Sequence, residues 1–557
     1  MSVDNKKIQY FLIGILIAGG VVGGGFFVYI SAALTIAMML FYAVIIMKSR
    51  SIRIHVDSNM LAITLIPIMY LISSLWAVDS GMALMGFVKF MPVLLFALIL
   101  TYMDQGREKI KRALPYIGAL MTVFSVIFMK LPILDIYFQT AGRLSGFFQY
   151  PNTFAAFLLI CLIILLHEDE SEHKRIRALS LVILCVGIIL TGSRIVFAIT
   201  FLMIVLELIL KTGIKKKTVV ICGTVILAAL CITMILNHQG VTHIASTNMS
   251  TLWGRLLYYA DALPVILKHP FGMGFYGYYF TQSGFQTGVY NVVNIHNELL
   301  QFMLDVGWIP AVLLFTAMVK TLVNKEVCVR DKMVMLVILL HSMLDFDLQF
   351  MTMFFVMILF LNMGNVKEYD ISSVTKSLIM IISVAAITVS ARIGFSDFMF
   401  INQHSEEALD IYKGNTMAEI SVIMSGKGNE SMADDLINSV PKLYVGYSIS
   451  ADYSFSNGNL PDFMIKKDKV LEMAPYQYNE YEKYAQMMCY ACEQFISDGD
   501  YSSARICMNK ITEIRQKMAQ AAEGTSSLAW KIDDKPVTDL SETTMSMIVE
   551  LQRRVNN

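Results

Sequence analysis

The chain has 557 residues, of which 56% are hydrophobic and 16% are charged. Soluble domains carry about 25% charged residues, so this composition excludes an ordinary soluble enzyme. The net charge is zero, but residues 1–394 hold 29 basic and 20 acidic side chains, whereas residues 395–557 hold 15 and 24. The basic residues form no stripe with interleaved aromatic side chains, which excludes nucleic acid as a partner.

Apolar segments of about 20 residues recur along the first 394 residues, and segments of this length can cross a bilayer. We therefore predict an all-α fold, with a polytopic membrane domain at residues 1–394 that has about 13 spans. The predicted spans lie near 8–25, 26–47, 60–78, 82–103, 113–131, 151–166, 176–192, 194–211, 218–236, 297–322, 333–345, 348–364 and 376–394. The short segment 333–345 is also consistent with half of a bent pair, which leaves the count open.

Placing the N-terminus in the cytoplasm puts most basic residues of the membrane domain in inner loops, as the positive-inside rule requires. A long loop at residues 237–296 and a tail at residues 395–557 then lie outside the cytoplasmic (inner or plasma) membrane. The predicted protein is thus a multi-pass membrane protein with an extracytoplasmic loop and an extracytoplasmic tail.

Several cationic side chains lie at the predicted outer ends of apolar helices. Arg143 precedes a helix start, Arg194 stands in the first turn of another helix, and His296 and Asn297 head a third. Helix N-termini offer unpaired N–H groups and partial positive charge, so this arrangement predicts a site for an anion such as a diphosphate. Lys89, inside the fourth span, is expected to line the same pocket.

Each of these residues also has a simpler interpretation. An arginine near a membrane interface often binds lipid headgroups, and His296 alone would be read as a solvated helix cap. Lys89 would be read as a side chain that extends to the interface. The combination of several cations at outward helix starts favours a shared site.

Four sequence blocks, in a fixed order along the chain, resemble the motifs of a known protein family. They are GRLSGFFQYPNTFAAFLL (142–159), TGSRIVFA (191–198), GRLLYYADALPVILKHPFGMGF (254–275) and HNELLQFMLDVGWIPAVLL (296–314). Together they resemble the signature blocks of the O-antigen ligase and Wzy-type polymerase superfamily. The resemblance implies a GT-C-like membrane glycosyltransferase that takes a glycan from an undecaprenyl-diphosphate carrier on the outer face of the membrane.

The resemblance also assigns residues to roles. Arg194 matches the family arginine of the SR block, Arg255 that of the GR block, and His296 the histidine of the HN block, so these three are the expected catalytic residues. Arg143 matches the arginine before the PN pair, and we expect it to bind substrate together with Lys89 and Asn297. Many relatives have Glu and Gly where this chain has Asp305 and Pro310, so no role is expected for Asp305.

The residue types agree with such a reaction. Guanidinium groups bind diphosphate oxygens through charge-assisted hydrogen bonds, and a histidine can accept the proton of an acceptor hydroxyl near neutral pH. We therefore expect neither a metal ion nor another cofactor. The HEDESEH segment (167–173) looks like a metal motif, but it falls in an inner loop and is expected to be a solvated acidic turn.

The tail is predicted to be helical. Residues 474–523 have the pattern of an α-hairpin with a turn at 498–500, and GNESMADDLIN (428–438) recurs as GDYSSARICMN (499–509). An offset of about two tetratricopeptide periods indicates a short TPR-like module. Such a module would bind an acceptor or an assembly protein.

Two other functions remain open at this stage. The chain could be a transporter or flippase, although charged residues within the spans are few. It could also be a scaffold of a surface-polysaccharide assembly complex. Within the enzyme hypothesis, polymerases and ligases share these motifs, and the acceptor is a glycan, a lipid or a protein.

Overall fold

The computed structural model describes residues 4–103, 106–168, 174–210 and 249–556. These residues are almost entirely helical, as predicted, and their few strands form two two-stranded sheets. The predicted span near 218–236 and residues 169–173 of the acidic segment lie outside the described residues.

Sixteen helices are described before the tail. They are α1 (Asn5–Val21), α2 (Val28–Lys48), α3 (Ser58–Ser73), α4 (Ser80–Leu100), α5 (Arg107–Phe128), α6 (Asp135–Phe138), α7 (Pro151–Leu166), α8 (Lys174–Thr191), α9 (Arg194–Leu210), α10 (Ser250–Lys268), α11 (Gly277–Thr281), α12 (Glu298–Val306), α13 (Trp308–Val323), α14 (Val329–Ser342), α15 (Met351–Phe360) and α16 (Ser373–Ile401).

Four of the described helices are long and apolar enough to cross a membrane, namely α2, α4, α5 and α16. The apolar helices α3, α7, α13 and α15 are shorter. Helix α16 exposes large apolar side chains along its length, including Val374 (79% exposed), Ile381 (67%) and Val384 (60%). Exposed apolar surface of this extent is disfavoured in water and suits contact with lipid.

The hydrophobic core is centred on α4, α7 and α15. Every residue of α15 is buried, and α7 is buried along nearly its whole length. Helix α4 packs against α2, α3 and α15, while α7 packs against α5, α8 and α14. These central helices hold the ends of their neighbours in fixed positions.

Strand β1 (Ser51–His55) pairs with β4 (Val366–Asp370) in an antiparallel sheet that the sequence did not predict. Tyr102, just beyond the C-terminus of α4, donates a hydrogen bond to the carbonyl of Ser51 (3.5 Å). At the other end of α4, the amide of Val78 bonds to the carbonyl of Met273 in the long loop (2.9 Å). The sheet and the long loop therefore lie at opposite ends of α4, about 30 Å apart.

The single span predicted near 297–322 is wrong in one respect, because the chain forms two helices, α12 and α13, that meet at Gly307. Gly307 has φ +90°, and a Cβ atom there would lie 2.5 Å from the carbonyl oxygen of Pro270. The amide of Trp308 donates to that same carbonyl (3.0 Å). The long loop thus packs into the break. The sequence does not indicate this break, because it is apolar on both sides of Gly307.

The tail contains eight described helices. They are α17 (Ser405–Ile411), α18 (Thr416–Met424), α19 (Glu430–Ser439), α20 (Tyr444–Ser456), α21 (Leu460–Met473), α22 (Tyr478–Ser497), α23 (Tyr501–Glu523) and α24 (Glu542–Asn556). Helices α22 and α23 form the predicted hairpin, with Gly499 at φ +76° in its turn. The predicted boundary at residue 394 falls within α16, which continues to Ile401.

Several parts of the tail contact residues that precede it in the chain. Tyr412 donates a hydrogen bond to the carbonyl of Gly81 (2.9 Å), and the hydroxyl of Thr416 bonds to the carboxylate of Asp79. Further along, the amide of Ser526 donates to the carbonyl of Thr287 in the long loop (3.0 Å). The tail and the long loop therefore share one end of the helix bundle.

Candidate functional site

A fully buried carboxylate, Asp345, lies between α14 and α15 and collects hydrogen bonds from distant parts of the chain. Its oxygens accept from the hydroxyl of Tyr150 (2.9 Å), the amide of Asn152 (2.9 Å), the guanidinium of Arg255 (3.2 Å), Nδ1 of His296 (3.1 Å) and the backbone N–H of Phe346 (3.0 Å). Since a buried charge is stable only when it is paired and hydrogen-bonded, these contacts fix the segments that supply them.

Beside Asp345 is a cavity of about 350 Å³, which we call the arginine cavity. Its lining combines the polar residues Arg143, Asn152, Ser193, Arg194, Thr251 and Arg255 with the apolar residues Ile195, Ala198, Ile199, Met249, Leu252 and Leu344. The polar side chains can bind an anion, and the apolar side chains can contact an apolar chain.

Arg143 is held rigidly at the edge of the arginine cavity. It lies in the two-residue strand β3 (Arg143–Leu144), which pairs with β2 (Gln139–Thr140). Its Nε donates to the carbonyl of Thr191 (2.7 Å), and its Nη2 donates to Oδ1 of Asn152 (2.8 Å). These two bonds join the start of α7 to the end of α8.

Arg194 is the first residue of α9, as the sequence predicted. The hydroxyl of Ser193 accepts a hydrogen bond from the amide of Val196 (3.4 Å) and so caps this helix. The Arg194 guanidinium also donates to the hydroxyl of Thr251 in α10 (3.2 Å). The partial positive charge of the helix N-terminus therefore adds to that of the guanidinium.

Three guanidinium groups so close together repel one another. Burial lowers the pKa of Arg143, and the charges of Arg194 and Arg255 act in the same direction. A bound polyanion would relieve this repulsion, because each phosphate oxygen pairs with a guanidinium N–H. The electrostatics of the arginine cavity therefore favour a ligand with several negative charges.

His296 precedes α12 with a backbone φ of +55°, which is uncommon for a residue with a side chain. Its carbonyl accepts a hydrogen bond from Tyr259 (2.5 Å), and its Nδ1 contacts Asp345. Nε2 of His296 forms no hydrogen bond with any described residue, and the side chain keeps 22% of its surface exposed. Asp345 thus orients the imidazole through Nδ1, and Nε2 can contact a substrate.

The remaining two predicted residues, Asn297 and Lys89, do not line the arginine cavity. Asn297 caps α12 by accepting from the amide of Leu300 (3.0 Å), and its NH₂ group donates to the carbonyl of Met343 (2.9 Å), so both ends of its side chain serve the fold. The expectation that Lys89 lines the same pocket is not met. Lys89 lines a second cavity instead. Its ammonium group contacts the ring of Phe26, which neighbours the ring of Phe346 beside His296.

Sequence reasoning missed Asp345, Tyr150 and Asn152. The available signal for Asp345 was its position at the end of a short apolar span, where a charged residue is costly unless it has a partner or a function.

Asp305, to which no role was assigned, is also buried, but its carboxylate bonds to Tyr70 (2.7 Å) and Gln301 (3.0 Å). Among the described residues, no three His, Cys, Asp or Glu side chains come together as a metal site.

Comparison with known protein families gives one match. Residues 179–315, about a quarter of the chain, match the sequence model of the family described as O-Antigen ligase. The matched segment contains the blocks with Arg194, Arg255 and His296, while the block with Arg143 lies outside it. No curated protein and no solved structure matches the chain.

The arginine cavity should bind inorganic pyrophosphate. Replacing Arg194 by Ala is expected to weaken binding roughly tenfold to a hundredfold, since a hydrogen bond to a charged group contributes about 1.5–3 kcal/mol. Isothermal titration of pyrophosphate into the purified full chain measures this affinity. The exposed Lys130→Ala variant is the matched control. Equal affinity in Arg194→Ala and the native chain, or an equal loss in the control, would contradict the assignment.

Proposed function

Because residues 179–315 match the sequence model of the family described as O-Antigen ligase, we propose that this membrane protein is a lipid-linked glycosyltransferase. In this proposal it moves a glycan from an undecaprenyl-diphosphate carrier to an acceptor on the outer face of the cytoplasmic membrane. The observation that supports it best is the arginine cavity, whose lining contains three guanidinium groups and six apolar side chains.

The polar and the apolar side chains that line the arginine cavity match the two parts of the proposed donor. The guanidinium groups of Arg143, Arg194 and Arg255 bind the diphosphate, and the polyprenyl chain lies along the apolar side chains of α9. Ile195, Ala198 and Ile199 form that apolar surface. The donor would then sit at the boundary between lipid and the outer aqueous phase, with its sugar directed toward His296.

In the proposed reaction, the bond between the first sugar carbon and the diphosphate oxygen breaks as an acceptor hydroxyl attacks that carbon. The electron pair of the broken bond remains on the undecaprenyl diphosphate, whose added charge is stabilised by the three arginines. Nε2 of His296 accepts the proton of the attacking hydroxyl. The products are the extended acceptor and free undecaprenyl diphosphate.

Asp345 acts through its neighbours in this mechanism. Its contact with Nδ1 of His296 holds a proton on that nitrogen, so Nε2 is the basic atom. Its contact with Arg255 fixes the guanidinium without neutralising the other two arginines. We therefore assign Asp345 as a positioning residue and His296, Arg194 and Arg255 as catalytic residues, with Arg143 in donor binding.

The tail has a supporting part in the proposal. The proposal that it is a TPR-like module is supported by the packing of its consecutive helices against one another, and it contacts the long loop through residues 526–533. A helical-repeat surface of this kind suits an acceptor or an assembly protein. The side of the membrane on which the tail lies stays a prediction.

Transfer should depend on the arginine cavity. With an undecaprenyl-diphosphate-linked oligosaccharide and the full chain purified in detergent, Arg194→Ala is expected to lower the transfer rate by about a hundredfold or more, because it removes a preorganised charge contact. Mass spectrometry of the extended acceptor measures the rate, and Lys130→Ala serves as the control. A native rate in Arg194→Ala would refute the proposal. Lipid translocation without product would favour the transport alternative.

Transfer should also continue without divalent metal ions. The three arginines supply the positive charge that a metal would otherwise provide to the diphosphate. The transfer rate measured in excess EDTA is therefore expected to equal the rate in Mg²⁺-containing buffer. Loss of transfer in EDTA together with recovery on adding Mg²⁺ or Mn²⁺ would show that the metal-independent mechanism is wrong.

A further inference from the structure

A second cavity, of about 110 Å³, shares no lining residue with the arginine cavity and is called the Lys89 cavity here. Its lining includes the charged side chains of Lys89 and Asp397, the amides of Asn294 and Asn415, and the rings of Phe26, Phe275 and Tyr276. It has room for several water-sized groups but not for a lipid chain. The mechanism above makes no use of it.

Lys89 is only 3% exposed, yet its ammonium group has no hydrogen bond or ion pair within the described part of the chain. Its Nζ lies 4.5 Å from the ring centre of Phe26 and 5.3 Å from that of Phe275. Contacts with ring faces compensate only part of the cost of burying a charge. The side chain therefore presents three unused N–H donors to the cavity.

Asp397 supplies the complementary group. It is 7% exposed, and one of its oxygens accepts the backbone N–H of Tyr29 (2.9 Å). It forms no direct ion pair with Lys89, although both line the same small space. The cavity thus holds a donor and an acceptor that a ligand can bridge.

This combination suits a sugar ring. A hydroxyl group both donates and accepts, so neighbouring hydroxyls can bind an ammonium and a carboxylate at once. The apolar face of the ring can then pack against the aromatic side chains. A simple anion is less suitable, because Asp397 would repel it, and an apolar ligand would leave both charges unpaired.

Aromatic rings connect the Lys89 cavity to His296. The Phe26 ring contacts Lys89 and lies 6.2 Å from the Phe346 ring, which in turn lies 5.0 Å from the imidazole of His296. A glycan with one ring in the Lys89 cavity would therefore extend along these side chains toward Nε2 of His296. The two cavities approach His296 by different routes.

Residues of the tail form one side of the Lys89 cavity. Asn415 and Met417 belong to its lining, and the flanking residues Tyr412 and Thr416 bond to the start of α4. The backbones meet closely there, since a Cβ atom on Gly81 would lie 2.4 Å from the carbonyl oxygen of Gly414. The tail segment 412–417 is thus part of the cavity wall.

We propose that the Lys89 cavity is the acceptor subsite and binds an uncharged sugar ring of the acceptor glycan through Lys89 and Asp397, with tail residues 412–417 as its wall. This inference rests on the proposed function, and it divides the substrates between two cavities. The arginine cavity holds the donor, and the Lys89 cavity holds the acceptor.

The test is steady-state transfer by the purified full chain at varied acceptor and varied donor concentrations. Lys89→Met and Asp397→Asn are each expected to raise the KM for the acceptor about tenfold or more, because each removes a charge-assisted hydrogen bond. The KM for the donor and the affinity for inorganic pyrophosphate should not change. Thermal unfolding of both variants shows whether they are folded, and Lys130→Met is the matched control.

The outcomes separate this inference from the proposed function. If Arg194→Ala abolishes transfer while folded Lys89→Met keeps the native acceptor KM, the acceptor subsite is refuted and the proposed function stands. If Lys89→Met instead weakens pyrophosphate binding, Lys89 serves the donor and the subsite is again refuted. If Arg194→Ala transfers at the native rate, the proposed function itself fails.

A binding experiment tests the cavity without relying on transfer. Saturation-transfer NMR with methyl glycosides of glucose, galactose and N-acetylglucosamine should show contact between the full chain and at least one glycoside. The signal should decrease in Lys89→Met and Asp397→Asn but persist in Arg194→Ala. Absence of contact with all three glycosides, or a signal unaffected by Lys89→Met, would overturn the proposal.

Discussion

The site depends on the pairing of one buried carboxylate. Asp345 has no exposed surface and accepts hydrogen bonds from residues before α7, in α7, in α10 and before α12. Leaving such a charge unpaired would cost several kcal/mol, so about 3–5 kcal/mol favours keeping its partners in place. Three segments that are remote in sequence are therefore held to Asp345, at the end of α4 where the long loop packs.

The pairing of Asp345 explains why several cationic side chains lie close together. Arg255 and His296 are oriented by Asp345, and Asn152 links Asp345 to Arg143 through its two amide ends. Arg194 lies at the start of α9 and donates to the hydroxyl of Thr251. Three guanidinium groups therefore line the arginine cavity, and a group of cationic side chains suits a diphosphate.

The sequence predicted much of this arrangement because helix starts have local signals. Pro151 and Ser193 mark the beginnings of α7 and α9, and a charged residue beside each start is apparent from the sequence alone. The structure then brings Arg143, Arg194 and Arg255 to one cavity. The hydrogen-bond partners of Asp345 and the break at Gly307 have no comparable local signal, because both depend on contacts with distant segments.

The surroundings of Lys89 likewise could not be predicted from the sequence. Its depth in α4 could be predicted, but the direction of its side chain depends on how α4 packs against its neighbours. Phe26 and Phe275 receive the ammonium group, and these rings come from segments far away in the chain. The tail could likewise be predicted as helical, whereas its contact with Gly81 depends on two glycine backbones that meet only in the folded protein.

The most direct test of the account is a double-mutant cycle on the transfer rate with Asp345→Asn and His296→Ala. If Asp345 acts by orienting His296, each single variant should lower the rate by about a hundredfold, and the double variant should be only slightly slower than either. A double variant whose loss equals the product of the two single losses would contradict this account. So would an Asp345→Asn variant that transfers at the native rate.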